Sequence, residues 1–198
     1  MNSVSAYTNI QVSEKTANSV ISNLQLLLKL SPYWDLKSLL PMIELSAQSS
    51  HKFEAIIKYY HEDFPKTLNI EAEQLQERKS FAYKMNGEGI QKTVEISLVN
   101  NPDGSIGVTQ KYYFDTSDSA LIESLSVELK YWHKAIIEYI KLQNGSGIWK
   151  RCFRWFMDRI WLNLSLSERK IAIIIIKISI IEIIVLVVFI FAWRLVKA

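Results

Sequence analysis

Two charges stand inside an otherwise apolar run near the end of this chain. Residues 171–193 read IAIIIIKISIIEIIVLVVFIFAW, and Lys177 and Glu182 interrupt it, with Ser179 between them. On a helix these two charges are about 140° apart in rotation, so they point to different faces and pair poorly within one helix. An ammonium and a carboxylate so placed suit pairing between neighbouring helices, or lining a water-filled path. The run itself is long enough to cross a bilayer: at about 1.5 Å per residue it reaches roughly 35 Å, against a hydrocarbon core of about 30 Å. Seventeen of its residues are Ile, Val, Leu or Phe; together they favour insertion by roughly 5–10 kcal/mol. The two charges oppose insertion by up to about 3 kcal/mol each. Lys177 lies near the start, where its stem can snorkel to the interface. Glu182 sits near the midplane and must be neutral, paired or hydrated. A lone anchor with a protonated Glu182 is the plain reading; self-association through the span, or packing on a partner's span, is the one the charges favour.

Other candidate chemistry is sparse. His51, His61 and His133 lack the spacing of metal ligands, and Cys152 is the only cysteine, so neither a zinc site nor an intrachain disulfide is expected. His61-Glu62-Asp63 has acid–base residue types but reads as a solvated helix end before Pro65. Glu71, Glu73, Glu77, Arg78 and Lys79 read as a mixed surface. No GxGxxG, Walker loop or nucleophile elbow occurs, and Gly87 and Gly89 read as hairpin glycines. No catalytic residue, cofactor or metal is expected. Cys152 is expected to pack in the membrane interface rather than to be acylated.

The elements that must position these residues follow from periodicity. Residues 13–30 suit one helix, with Val20, Ile21, Leu24, Leu27 and Leu28 in a stripe. Ser31-Pro32 ends it and opens another, which Pro41 kinks or restarts and Pro65 stops; Ile43, Phe53, Ile56, Ile57 and Tyr60 are its helix-spaced apolar positions. From about 67 to 115 the period changes to two. Phe81, Tyr83 and Met85, then Val94, Ile96 and Leu98, then Ile106, Val108, Gln110, Tyr112 and Phe114 alternate around two turn signals, predicting an antiparallel meander. Thr67–Gln76 fits either a strand or a helix. Residues 118–142 predict a helix through Ile122, Leu125, Leu129, Trp132, Ile136 and Ile140, capped by Ser117 or Asp118 and stopped at Asn144-Gly145.

The fold class expected is α+β: a cytoplasmic domain over 1–145 with helices packed on an antiparallel meander, an amphipathic interfacial helix over 146–164, and a transmembrane helix over 166–197. Gly145-Ser146-Gly147 reads as a hinge between the first two. In 148–162, Lys150, Arg151, Arg154 and Asp158 share one arc, while Trp149, Cys152, Phe153, Phe156 and Ile160 take the opposite side. With Trp155 and Trp161 they form a cationic, aromatic collar suited to a headgroup plane rich in anionic lipid. Ser165 and Glu168 match a capping box at the start of the span.

Charge is divided along the chain. Up to Gly145 there are 14 Lys and Arg against 17 Asp and Glu; beyond it, 9 against 3. The basic balance belongs to the membrane-proximal part, so nucleic-acid binding by the N-terminal domain is not expected. Six cations (Lys150, Arg151, Arg154, Arg159, Arg169 and Lys170) precede the span and only Arg194 and Lys197 follow it. The positive-inside rule then places the large domain in the cytoplasm of a single-pass inner-membrane protein. The N-terminus has no basic region followed by an apolar run, so no signal peptide is expected.

This layout, an upstream domain followed by residues 148–197, resembles small membrane effectors of bacterial antiphage systems, such as those accompanying retrons or cyclic-nucleotide signalling modules. The resemblance implies an effector that perturbs the membrane when released by protein partners encoded nearby, in the manner of abortive infection. A membrane-tethered immunity or adaptor protein, whose domain binds a toxin or partner, fits the same layout. An enzyme is not expected.

Overall fold

The structure, a computed structural model, describes residues 2–42, 50–60, 62–75, 79–87 and 90–197. Ile43, His61, Gln76, Glu77, Arg78 and Gly89 lie outside the described residues, as do the side chains of Arg194 and Lys197. The chain runs β1 (Asn2–Ile10), α1 (Glu14–Ile21), α2 (Leu24–Lys29), then strands β2 (Trp34–Pro41), β3 (Ser50–Tyr59), β4 (Lys66–Leu75), β5 (Ser80–Gly87), β6 (Ile90–Asn100) and β7 (Ile106–Phe114). The long helix α3 (Ser119–Gln143) follows, then α4 (Ile148–Arg159), a 3-10 turn at Trp161–Asn163, and α5 (Leu166–Lys197).

These seven strands join one antiparallel sheet in the order β1-β7-β6-β5-β4-β3-β2. Six of them form a continuous meander, and β1 returns to the far edge beside β7. The α+β expectation and the meander from 67 to 115 agree with this sheet, and the stretch from Thr67 that fitted either element is strand, part of β4. Two readings are corrected. The described residues of 32–64 form no helix; they carry strands β2 and β3. Around 53–60 the apolar residues satisfy both periods, and the strand period places Ala55 and Ile57 fully inside. The open hydrogen-bonding edge of β4 decides the ambiguity, because each strand added there satisfies backbone groups that a separate helix would leave unpaired. Pro41 is tolerated because β2 is an edge strand, where a missing N–H costs no ladder bond. The single helix expected over 13–30 is two, broken at Ser22-Asn23, where the Asn23 side chain accepts from Leu26 N (3.0 Å) and caps α2. Strand β1 was not legible: its inward positions Val4, Ala6 and Thr8 are only half-buried, so its alternation is weak.

The core lies between the inner face of the sheet and α1, α2 and α3. Two buried hydrogen bonds set the helices on the sheet. Tyr83 of β5 donates to the Ile21 carbonyl at the end of α1 (2.6 Å), and Trp132 of α3 donates to the Leu27 carbonyl in α2 (2.9 Å). The first satisfies a carbonyl at a helix end, and the second adds a donor to one that already accepts from Leu30 N. The helices α1 and α2 thereby close one end of the space between the sheet and α3. The other end is open.

Candidate functional site

At that open end is a cavity of about 560 Å³. The ends of β3, β5 and β7, the starts of β4 and β6, and the first half of α3 surround it. Its floor is an ion pair: Lys92 of β6 donates to the Glu128 carboxylate of α3, with side chains only 4% and 12% exposed. Tyr112 of β7 donates to the same carboxylate oxygen (3.2 Å). The Lys92 ammonium lies 4.6 Å from the centroid of the Tyr112 ring and 5.2 Å from that of Trp34, within cation–π range. Tyr59 and Trp132 meet Trp34 edge-to-face at 5.6 and 5.2 Å, completing an aromatic wall. A second pair, Lys66 with Glu62 at 2.7 Å, stands nearer the rim.

Burial decides the electrostatics here. Desolvation, then the Glu128 charge, pushes the Tyr112 hydroxyl well above its ordinary range, and the same two causes raise Tyr59. Both phenols therefore remain protonated donors. Polar atoms are also left over: the Trp34 indole N–H and both ends of the Gln110 amide are buried with no hydrogen-bond partner among the described residues. Buried polar groups in folded proteins are nearly always paired; neither Trp34 nor Gln110 lines the cavity itself, though the Trp34 ring lies beside the Lys92 ammonium. Among the described residues no group of three or more His, Cys, Asp or Glu side chains is placed to hold a metal ion. The arrangement can hold a small guest with an apolar body and polar groups, set against one ammonium, one carboxylate and a phenol.

None of these residues was singled out as a site from the sequence, although the signal existed. Lys92 has the parity of the inward residues Val94, Ile96 and Leu98, and Glu128 lies on the apolar stripe of α3, three residues after Leu125 and four before Trp132. Gly87 borders the cavity for a steric reason as well as a hairpin one: a Cβ there would stand 2.5 Å from the Thr67 carbonyl oxygen. Of the histidines, His51 is exposed on β3, and His133 is buried in α3 with Nε2 3.0 Å from the Thr8 hydroxyl.

The residues expected to act at a membrane lie elsewhere. Ser165 and Glu168 form the capping box: Glu168 N donates to the Ser165 hydroxyl (3.3 Å), and the Glu168 carboxylate accepts from Ser165 N (2.6 Å). Helix α5 is long and apolar enough over Leu166–Ile190 to cross a membrane, and none of its apolar window is buried in the chain. Lys177, Ser179 and Glu182 are exposed along it.

Helix α4 turns part of its polar arc toward its own domain. Arg154 donates to the Gln143 and Gly145 carbonyls (3.1 and 3.4 Å), and Asp158 accepts from Tyr139 (2.6 Å). Gly145-Ser146-Gly147, expected as a hinge, is thus spanned by the Arg154 guanidinium. Trp149, Phe153 and Trp155 are 88%, 54% and 60% exposed, while Lys150, Arg151 and Cys152 are also on the surface. Phe156 and Trp161 are half-buried against each other, ring centroids 6.1 Å apart. The start of α5 is docked too: Asp35 of β2 accepts from Leu166 N (2.7 Å), and Arg169 donates to the Trp161 carbonyl (3.0 Å) and reaches the Lys29 carbonyl (3.4 Å).

No family model and no curated protein matches this chain. Solved structures do. The di-domain ARO/CYC StfQ from the steffimycin biosynthetic pathway matches with a TM-score of 0.53 at 12% identity, over 69% of this chain and 44% of that one. TTHA0849 from Thermus thermophilus matches with a TM-score of 0.53 at 10% identity, over 73% of this chain and 100% of that one. The AHSA1-like protein from Aeromonas hydrophila matches with a TM-score of 0.50 at 11% identity, over 74% and 99%. At these identities the likeness shows the fold alone: a helix-grip-like domain, its antiparallel sheet set against a long helix. About a quarter of this chain has no counterpart in these structures.

Proposed function

We propose that this chain is a membrane-anchored ligand-binding protein, its helix-grip-like domain held on the cytoplasmic face of the inner membrane by α5 and binding an amphipathic small molecule between the sheet and α3. The observation that carries this reading is the Lys92–Glu128 pair on the floor of a cavity of about 560 Å³, with the unpartnered indole N–H of Trp34 beside it. Small-molecule sites join apolar surface to convergent polar groups, and here Phe114, Leu121 and Leu125 supply apolar surface beside Gln91, Lys92 and Glu128 in a recess with a strongly polar lining. In this reading the site binds without turnover, with Lys92 and Glu128 engaged to each other rather than held free for proton transfer. The neighbour StfQ, an ARO/CYC protein of a biosynthetic pathway, makes chemistry on a bound guest the alternative within the same fold. The test uses the full chain in nanodiscs with a dansyl-labelled fatty acid as probe. Saturable energy transfer from tryptophan, lost when Ser124→Phe fills the mouth, supports the reading. Transfer that never saturates, or that Ser124→Phe leaves unchanged, counts against it.

A second reading concerns the membrane part. Lys177 and Glu182 are exposed on α5, whose apolar window no other described part of the chain covers. Charges so placed support an effector that self-associates and perturbs the membrane once released by protein partners, as the layout's resemblance to antiphage effectors implies. Expression of the full chain in bacteria, followed by membrane potential and growth, separates the roles. Depolarisation relieved by Glu182→Leu supports the effector. Silent expression with capture of a specific toxin by the domain supports an immunity protein instead.

A further inference from the structure

A second cavity, of about 570 Å³, lies outside the space between sheet and α3, where α3, α4 and the first two turns of α5 converge. Its walls are apolar: Leu142 of α3, Phe153 and Met157 of α4, and Leu162, Leu166 and Ile173 around the start of α5. Ile173 continues into the exposed apolar surface that α5 presents as far as Ile190, broken only by Lys177, Ser179 and Glu182, so the cavity opens directly onto that surface. The charges around it are one-sided. Lys141, Lys150, Arg169 and Lys170 border the cavity, against the single carboxylate of Glu138, which Lys141 already engages at 3.0 Å. Arg169 spends its donors on backbone carbonyls and feels the Asp35 carboxylate, which leaves Lys150 and Lys170 as the bordering cations that no carboxylate engages among the described residues.

From this geometry we infer that the cavity between α3, α4 and α5 binds one anionic phospholipid, with an acyl chain in the apolar recess and the phosphate at Lys150 and Lys170. The inference rests on the reading of α5 as a membrane span, since lipid would enter sideways along that surface past Ile173. An apolar recess continuous with the lipid-facing helix selects a hydrocarbon chain over a polar solute. Cations without matching carboxylates select an anionic headgroup over a zwitterionic one. The volume falls within the range of about 300–1,000 Å³ typical of small-molecule sites.

The experiment uses the full chain, purified in detergent, stripped of lipid, and offered phosphatidylglycerol or phosphatidylcholine before native mass spectrometry. One phosphatidylglycerol molecule should be retained per chain and phosphatidylcholine should not. Lys150→Gln with Lys170→Gln should weaken retention about tenfold or more. Met157→Trp, which fills the recess and leaves the charges in place, should abolish it. Equal retention of the two lipids, or retention that neither variant changes, overturns the inference. Carbonate extraction of membranes from the same cells checks the anchor separately: release of the chain defeats the span, whereas lipid-indifferent retention by a carbonate-resistant chain defeats the lipid site alone.

Discussion

Lys92 and Glu128 meet across the interior, one on β6 and the other on α3, and their contact is where strand and helix come together to floor the cavity. Each stands at a position that its element assigns to apolar residues. Alone, either would be a buried charge; paired, with Tyr112 donating to the same carboxylate oxygen, they make a polar floor where the core opens into the cavity.

Breaking this pair from one side should cost far more than removing both partners. Lys92→Met leaves Glu128 as an uncompensated carboxylate, and Glu128→Leu strands the ammonium; each single variant should lose about 3–5 kcal/mol. The double variant Lys92→Met/Glu128→Leu should recover most of that stability while losing the saturable dansyl signal. Urea denaturation of the four proteins measures the coupling.

Gly87→Ala should destabilise the β4–β5 hairpin at the cavity rim. The added methyl would stand 2.5 Å from the Thr67 carbonyl oxygen and 2.6 Å from a methyl of Leu68. Backbone cannot yield as a flexible side chain can, so a loss of about 1–3 kcal/mol is expected. A thermal melt checks it, and an unchanged midpoint would show that the hairpin opens at no cost.

His133 should make stability depend on pH. Burial lowers its pKa from 6.5 to about 4, so the folded chain keeps the ring neutral while the unfolded chain takes up a proton. The contribution is complete above pH 6.5 and is lost as pH falls toward 4, since the unfolded state binds more protons there. Lys130, Lys134, Lys141 and Glu138 line the same recess and carry the fixed charges around it. His133→Gln should flatten the pH profile of urea midpoints across that window.

Helix α4 should report lipid through its exposed thiol. Cys152 is the only cysteine and lies on the surface. An environment-sensitive fluorophore there should shift to the blue when the full chain is moved from detergent into anionic nanodiscs. The neutral-lipid shift should be smaller, and Arg151→Gln with Lys150→Gln should reduce the anionic one. Equal shifts in both lipids would leave the cations without a role.

Glu182→Leu should weaken self-association. An exposed midplane carboxylate about 140° from the nearest cation finds its partner on another helix, if anywhere. Crosslinking in membranes should fall in this variant while membrane insertion becomes more favourable. Crosslinking equal to the parent would leave the anchor monomeric.

The sequence by itself determined the features that local chemistry specifies. Phe81, Tyr83 and Met85 or Val94, Ile96 and Leu98 declare strands because side chains alternate across a sheet, and Ser165 with Glu168 declares a helix start because free amides need acceptors. The apolar run after Arg169 and Lys170 is equally local. Residues 50–60 read as helix from Phe53, Ile56, Ile57 and Tyr60, although Phe53, Ala55, Ile57 and Tyr59 suit the strand they form. Only the free edge of β4 chose between them. The candidate site lay further out of reach. Parity placed Lys92 inside and the helical stripe placed Glu128 inside, yet each alone reads as an exception to a pattern. Tertiary structure decided that the two exceptions coincide, because β6 and α3 cross with those positions facing, and charges removed from water must find each other. The same holds for α4: the wheel separated its cations from its aromatics, but the Gln143 and Gly145 carbonyls that Arg154 reaches and the Tyr139 hydroxyl that Asp158 accepts from determined which side faces out.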